Sequence, residues 1–170
     1  PDLDVLCLAE NANASMHNVL TPRGALVRDS KAWADYLTEA LRLYGPRTEI
    51  MVTSHAWPRF GGERVRDFIA SHRDAYKYLH DQSVRLMNAG YTDREIAEQV
   101  RLPASLSARW FNHGYYGTMM HNSRAVSALH GLVRRQSGKP QSIAACGRSD
   151  ALCAGDGRGG RGVGRRPARV

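Results

Sequence analysis

The chain has 170 residues, enough for one domain or two small pieces, and its 42% hydrophobic content excludes wholesale disorder. Its net charge of +8, from 24 Lys+Arg against 16 Asp+Glu, invites a nucleic-acid reading. No apolar run approaches the ~18–20 residues of a membrane span, and no charged-then-apolar leader opens the sequence. The first residue is Pro1 rather than Met, so the sequence reads as a fragment. Cys7, Cys146 and Cys153 show neither metal-like nor disulfide-rich spacing.

Residues 4–9 (DVLCLA) predict a short buried strand that ends at Glu10. Asp29 or Ser30 can cap a helix running to Tyr44, with Trp33, Leu37, Ala40, Leu41 and Tyr44 on its apolar face. Gly45-Pro46 stops it, in the manner of a glycine past a helix end followed by proline. Residues 49–53 (EIMVT) predict a second strand, followed by Ser54-His55. Strand, helix and strand in succession is an α/β pattern. Gly61-Gly62 marks a boundary, after which the pattern turns helical.

Residues 63–89 predict one long helix with Val65, Phe68, Ile69, Tyr76, Leu79, Val84, Leu86 and Met87 as core candidates, ended by Gly90. Thr92, with Glu95 three residues on, forms a capping box for the next helix, which ends near Leu102-Pro103. A further helix runs from about Ser105 to Phe111. The stretch WFNHGYYGTMMHNSRAV is dense in aromatics and polar groups, as either a buried turn or the wall of a site would be.

The charge is unevenly placed. Residues 1–126 carry 15 Lys+Arg and 14 Asp+Glu, a net of +1; residues 127–170 carry 9 and 2, a net of +7. The latter stretch also holds 9 of the 16 glycines and no aromatic residue, and from Gly155 it cannot bury enough apolar surface to fold. A basic arm of this kind can bind nucleic acid, but such arms pair arginine with stacking aromatics.

Several residues carry candidate chemistry. Glu10 and His55 each follow a predicted strand, where α/β folds bind ligands, and carboxylate and imidazole both ligate zinc. A capped loop glutamate and a hydrogen-bonded core histidine account for the same two residues. Asn18 and Arg23 share the loop HNVLTPRG, and a guanidinium fork beside an amide suits a tetrahedral oxyanion; a plain surface loop does as well. Residues 90–110 have a helix-turn-helix look that supports a DNA-binding alternative. Its reader helix, however, offers only Arg109 as a basic group, and a groove binder needs several phosphate contacts.

AENANASMHNVLTPRGALVRDSKAW, TSHAWPRFG, HRDAYKYLHDQSVRLMNAGYTDREIAEQVRLP and WFNHGYYGTMMHN occur in that order, and together they resemble the alkyl sulfatases (SDS hydrolases) of the metallo-β-lactamase superfamily. The resemblance covers residues 3–126. It implies the C-terminal part of a metallo-β-lactamase-type αββα catalytic domain over 1–62 and the start of an all-α dimerisation domain over 63–126. It implies two zinc ions that activate water to cleave alkyl sulfate esters into alcohol and sulfate, and a homodimer as the intact assembly. Glu10 and His55 would be zinc ligands; Asn18 and Arg23 would bind the sulfate group; Tyr116 and His121 would line the same site. Family members are periplasmic, secreted or cytoplasmic, and a signal peptide would lie upstream. Neither specific nucleic-acid binding nor a membrane span belongs to this picture.

The family's H-x-H-x-D-H zinc motif is absent from the chain, so the expected ligand set is incomplete and the chain as given is expected to be inactive. The resemblance stops after Val126. A permitted back-translation of the next residues, read one base out of register, gives QRSMGWFDGNPANLNP, close to the family text expected there. Residues 127–170 therefore read as a frameshifted, disordered tail in which Cys146 and Cys153 have no role.

Overall fold

The computed structural model describes residues 4–21 and 23–136, with side chains described as far as Gly131. The chain begins with strand β1 (Val5–Cys7), helix α1 (Ser30–Tyr44) and strand β2 (Ile50–Val52). β1 and β2 are parallel, pairing Val5 with Ile50, Leu6 with Met51 and Cys7 with Val52. This is the α/β unit the sequence predicts. β1 is not buried as expected: it lies at the edge of the sheet, with Val5 and Cys7 exposed and only Leu6 and the following Leu8 turned to the core. A third strand, β3 (Arg59–Phe60), pairs antiparallel with β2. Two residues are too few to show an alternating pattern, so this strand was illegible in sequence.

Asp29 is the cap of α1, its carboxylate accepting from the backbone N–H groups of Lys31 (2.8 Å) and Ala32 (3.1 Å). Trp33 and Leu37 are buried and Ala40 and Leu41 half-buried, but Tyr44, expected on the apolar face, is exposed. Gly45 closes the helix with right-handed φ of −51°, so its handedness does not require glycine; a Cβ there would stand 2.4 Å from the Leu41 carbonyl oxygen.

Gly61 and Gly62 join β3 directly to the long helix α2 (Gly62–Asn88). Gly61 adopts φ +92°, a region that favours glycine, and a Cβ on Gly62 would meet the Glu49 carboxylate and the Thr48 carbonyl at 2.9 Å. The core does not break at this junction. Trp33 of α1 stacks on Tyr76 of α2 with centroids 4.5 Å apart, and one hydrophobic cluster runs from Leu8 to Val126. α2 ends as predicted at Gly90: the Gly90 N–H donates to Met87 O and the Tyr91 N–H to Leu86 O, the Schellman pairing.

Helix α3 (Asp93–Gln99) carries the predicted capping box, with Thr92 Oγ1 accepting from Glu95 N and the Glu95 carboxylate accepting from Thr92 N. The helix expected over 105–111 is interrupted. α4 (Ala104–Ser107) is one turn long, Arg109 is extended, and a 3-10 turn follows at Trp110–Asn112. The Arg109 guanidinium donates to Asp67 at 3.0 Å, and the Asn112 amide to Leu106 O. The helix-turn-helix reading therefore loses its reader helix, and that helix's only basic side chain is tied to a carboxylate.

The remaining helix, α5 (Met119–Gln136), was not expected; it packs Asn122, Ser123, Ala125 and Val126 inward and runs past Val126, where the resemblance was expected to stop. The expected tail thus begins in a helix as far as Gln136, and the rest of it, with Cys146 and Cys153, lies outside the described residues. Among the described residues no helix is long and apolar enough to cross a membrane.

A candidate active-site cleft around Glu10

The two parallel strands deliver their carboxyl ends side by side. Beyond β1 the chain turns at Ala9 (φ +46°), beyond β2 at Ala56 (φ +72°), and the Ser54 N–H donates to Ala9 O at 2.9 Å. Glu10 and His55 therefore meet, as their positions after two strands suggest. Glu10 Oε1 lies 3.3 Å from His55 Nε2, and Glu10 Oε2 lies 3.4 Å from Nε2 of a second imidazole, His17. The hydrogen bond from His55, then the charge of His17, hold the Glu10 carboxyl below its ordinary range, so it is an anion at neutral pH.

His17 is the site residue the sequence analysis passed over. It stands in the loop HNVLTPRG beside Asn18, and its one visible signal is a histidine inside a polar run. Its ring is buried between Trp33 (centroids 5.7 Å) and Tyr116 (5.1 Å, edge-on). Its Nδ1 faces the Asn18 carbonyl at 2.9 Å. A carbonyl can only accept, so Nδ1 carries a proton, and Nε2 faces the Glu10 carboxylate.

These groups border a cleft of about 400 Å³, whose polar lining includes Arg23, Arg28 and Tyr116 together with Glu10, His17 and His55. Of the sequence-predicted site residues, the fold thus brings Glu10, Arg23, His55 and Tyr116 together. It does not bring Asn18 or His121 into the lining. Asn18 is buried, and its backbone and side-chain oxygens both accept from Arg28 Nη1, at 3.2 and 3.4 Å. Arg28 also donates to Thr21 Oγ1, so Asn18 orients a guanidinium that the sequence reading had omitted. His121 Nε2 bonds the Leu20 carbonyl at 3.0 Å, holding the loop from behind. A second cleft of about 350 Å³ shares Glu10 and Arg28 and continues along Ala32, Trp33 and Tyr36 of α1.

Among the described residues no cluster of three or more His, Cys, Asp or Glu side chains is disposed to enclose a metal ion. Glu10 and His55 nevertheless bring an anionic oxygen and an imidazole nitrogen side by side where both are exposed, a donor pair suited to a borderline-soft dication. They fit part of a metal site.

Residues 92–130 match the family model described as alkyl sulfatase dimerisation. The chain is 47% identical over 127 residues to an (R)-specific secondary-alkylsulfatase of Pseudomonas sp, a match covering 74% of this chain and 19% of that protein. It is 44% identical over 126 residues to the alkyl/aryl-sulfatase BDS1 of Saccharomyces cerevisiae, covering 74% and 20%. The solved structure of the inverting sec-alkylsulfatase Pisa1 from Pseudomonas sp. superposes with a TM-score of 0.75 at 40% identity, over 91% of this chain and 25% of that one. The chain spans about a fifth of the length of the curated relatives it matches.

Proposed function

The chain belongs to the alkylsulfatase family as a segment of it, and from that premise we propose that its cleft is part of a site that hydrolyses alkyl sulfate esters to alcohol and sulfate. One observation carries the reading: an ionised carboxylate between two imidazoles, faced by Arg23 and Arg28 across a single cleft. Two guanidiniums suit a sulfate group, which stays anionic throughout the reaction. They orient the ester and offset the charge that grows on the departing sulfate. Tyr116 closes the cleft over His17. The groove along Trp33 and Tyr36 shares Glu10 and Arg28 with this cleft, and it takes the start of the alkyl chain; of the aromatic block expected to form that wall, Tyr116 lines the cleft.

Residues 1–62 are, in this reading, the end of a metallo-β-lactamase-type catalytic domain, and residues 63–126 open the helical segment through which two copies pair. Glu10 and His55 would supply donors to a two-zinc site. Zinc, when bound, provides Lewis acidity, drawing charge from an ester oxygen and acidifying water. The chain holds no H-x-H-x-D-H sequence, so it supplies only part of the ligands and does not by itself turn over substrate. Residues 127–170 are the product of a shifted frame.

Octyl sulfate, titrated below its micelle concentration into isotope-labelled protein, tests the reading. It is expected to shift the His17 ring and the Arg23 and Arg28 side-chain signals while leaving the Thr92 amide in place. Absence of any shift at these three residues would overturn it, and zinc-dependent sulfate release by the 170-residue chain would overturn the proposed inactivity.

A further inference from the structure

His17 is held through its backbone by the helical half of the chain. Its N–H donates to Tyr76 Oη on α2 at 2.9 Å. Its carbonyl accepts from Asn122 Nδ2 on α5 at 3.0 Å, and Asn122 Oδ1 in turn accepts from Val19 N at 2.9 Å. One fully buried amide therefore spans the residues on either side of Asn18, more than 100 positions away in sequence. The contact is close as well as bonded. The Gly117 N–H donates to Met16 O at 2.8 Å, and a Cβ on Gly117 would stand 2.4 Å from the His17 carbonyl oxygen.

The two anchors are themselves rigid. Tyr76 is buried and stacked on Trp33, and burial raises its phenol above the ordinary range, so it keeps its proton. Asn122 is anchored on α5 by its own N–H donating to Thr118 O at 2.8 Å. An asparagine this deep needs all its hydrogen-bonding groups partnered, and both ends of its amide are used on one loop.

We propose that Asn122 and Tyr76 are positioning residues for His17. They fix the backbone so that Nδ1 stays on the Asn18 carbonyl and Nε2 stays on the cleft side, toward Glu10. The helical segment matched to a dimerisation family thereby also builds the reacting site. The functional meaning of this inference rests on the cleft being that site; the positioning itself does not.

The test uses the full chain, long-range ring 15N spectra of His17 and amide exchange. In the unsubstituted chain we expect one set of ring shifts, with the Nδ1 proton held on the Asn18 carbonyl, and slow exchange at the His17 and Val19 amides. Asn122→Ala is expected to accelerate Val19 exchange at least tenfold and to move the His17 ring shifts as Nδ1 loses the Asn18 carbonyl, with the buried α2 amides of Ile69 and Leu79 unchanged. Tyr76→Phe removes one acceptor and should accelerate the His17 amide alone. Asn122→Asp keeps the acceptor for Val19 and should restore its protection while leaving the ring shifts moved. Wild-type ring shifts and amide rates in folded Asn122→Ala or Tyr76→Phe would overturn the proposal. So would loss of folding in both Asn122→Asp and Tyr76→Phe, because positioning predicts a local effect. Ring shifts report positioning whether or not the cleft binds sulfate esters, and the octyl sulfate titration reports the cleft, so the two failures are distinguishable.

Discussion

The Glu10 carboxylate and the His55 imidazole stand 3.3 Å apart although 45 positions separate them in sequence. Parallel pairing of β1 with β2 brings them there, each one turn past the carboxyl end of its strand. The helix between the strands is what makes the pairing possible. A parallel pair needs a crossover, and α1 supplies it, burying Trp33 and Leu37 on the way.

The capping box at the start of α3 should be separable from the cleft. Thr92→Ala removes the acceptor for Glu95 N and is expected to cost about 1 kcal/mol. Urea unfolding monitored by circular dichroism measures it, and the His17 ring shifts should stay put.

His72 should make stability depend on pH. It is buried against Phe68 and Phe111, and desolvation lowers its pKa from 6.5 to about 4. The unfolded chain binds this proton more readily than the folded one. The stabilisation is therefore complete above pH 6.5 and is lost as pH falls through the window to about 4. A shift of this size corresponds to about 3 kcal/mol at most. His72→Leu should flatten urea midpoints measured between pH 7 and pH 4.5, relative to the unsubstituted chain.

Local signals in the sequence were reliable where one short stretch decides the structure. The Thr92–Glu95 box, the Gly90 stop, the Asp29 cap and the helical spacing of the apolar residues of α2 all depend on neighbours within a few residues. That Glu10 and His55 lie close together was legible because each follows a strand of an α/β pattern; that Arg23 shares their cleft is shown by the fold. His17 and Arg28 were not legible, since their roles come from contacts with Tyr76, Asn122 and Asn18 that only the tertiary fold creates. The orientation of Asn18 was hidden for the same reason: both its oxygens turn to Arg28. α5 was missed because the chain was divided for reading at Val126, inside the helix. Its start was signalled by Thr118, whose Oγ1 accepts from the His121 N–H.

The proposed shifted-frame origin of residues 127–170 makes a prediction outside the protein. The coding DNA should show a single-base insertion or deletion near codon 126, with family-like text resuming in the alternate frame. An intact frame whose codons give no such text would exclude that origin. The helix through Gln136 is compatible with either outcome, since Ala128 and Leu129 are good helix formers whatever frame supplied them.

The central claim is that Glu10 and His55 form part of a zinc site in a sulfate-ester cleft. Zinc titration by calorimetry of the full chain, beside Glu10→Gln and His55→Ala, addresses it most directly. We predict binding to the unsubstituted chain that weakens by about tenfold or more in each variant, with the fold unchanged by circular dichroism. Equal zinc affinity in all three chains would contradict the account.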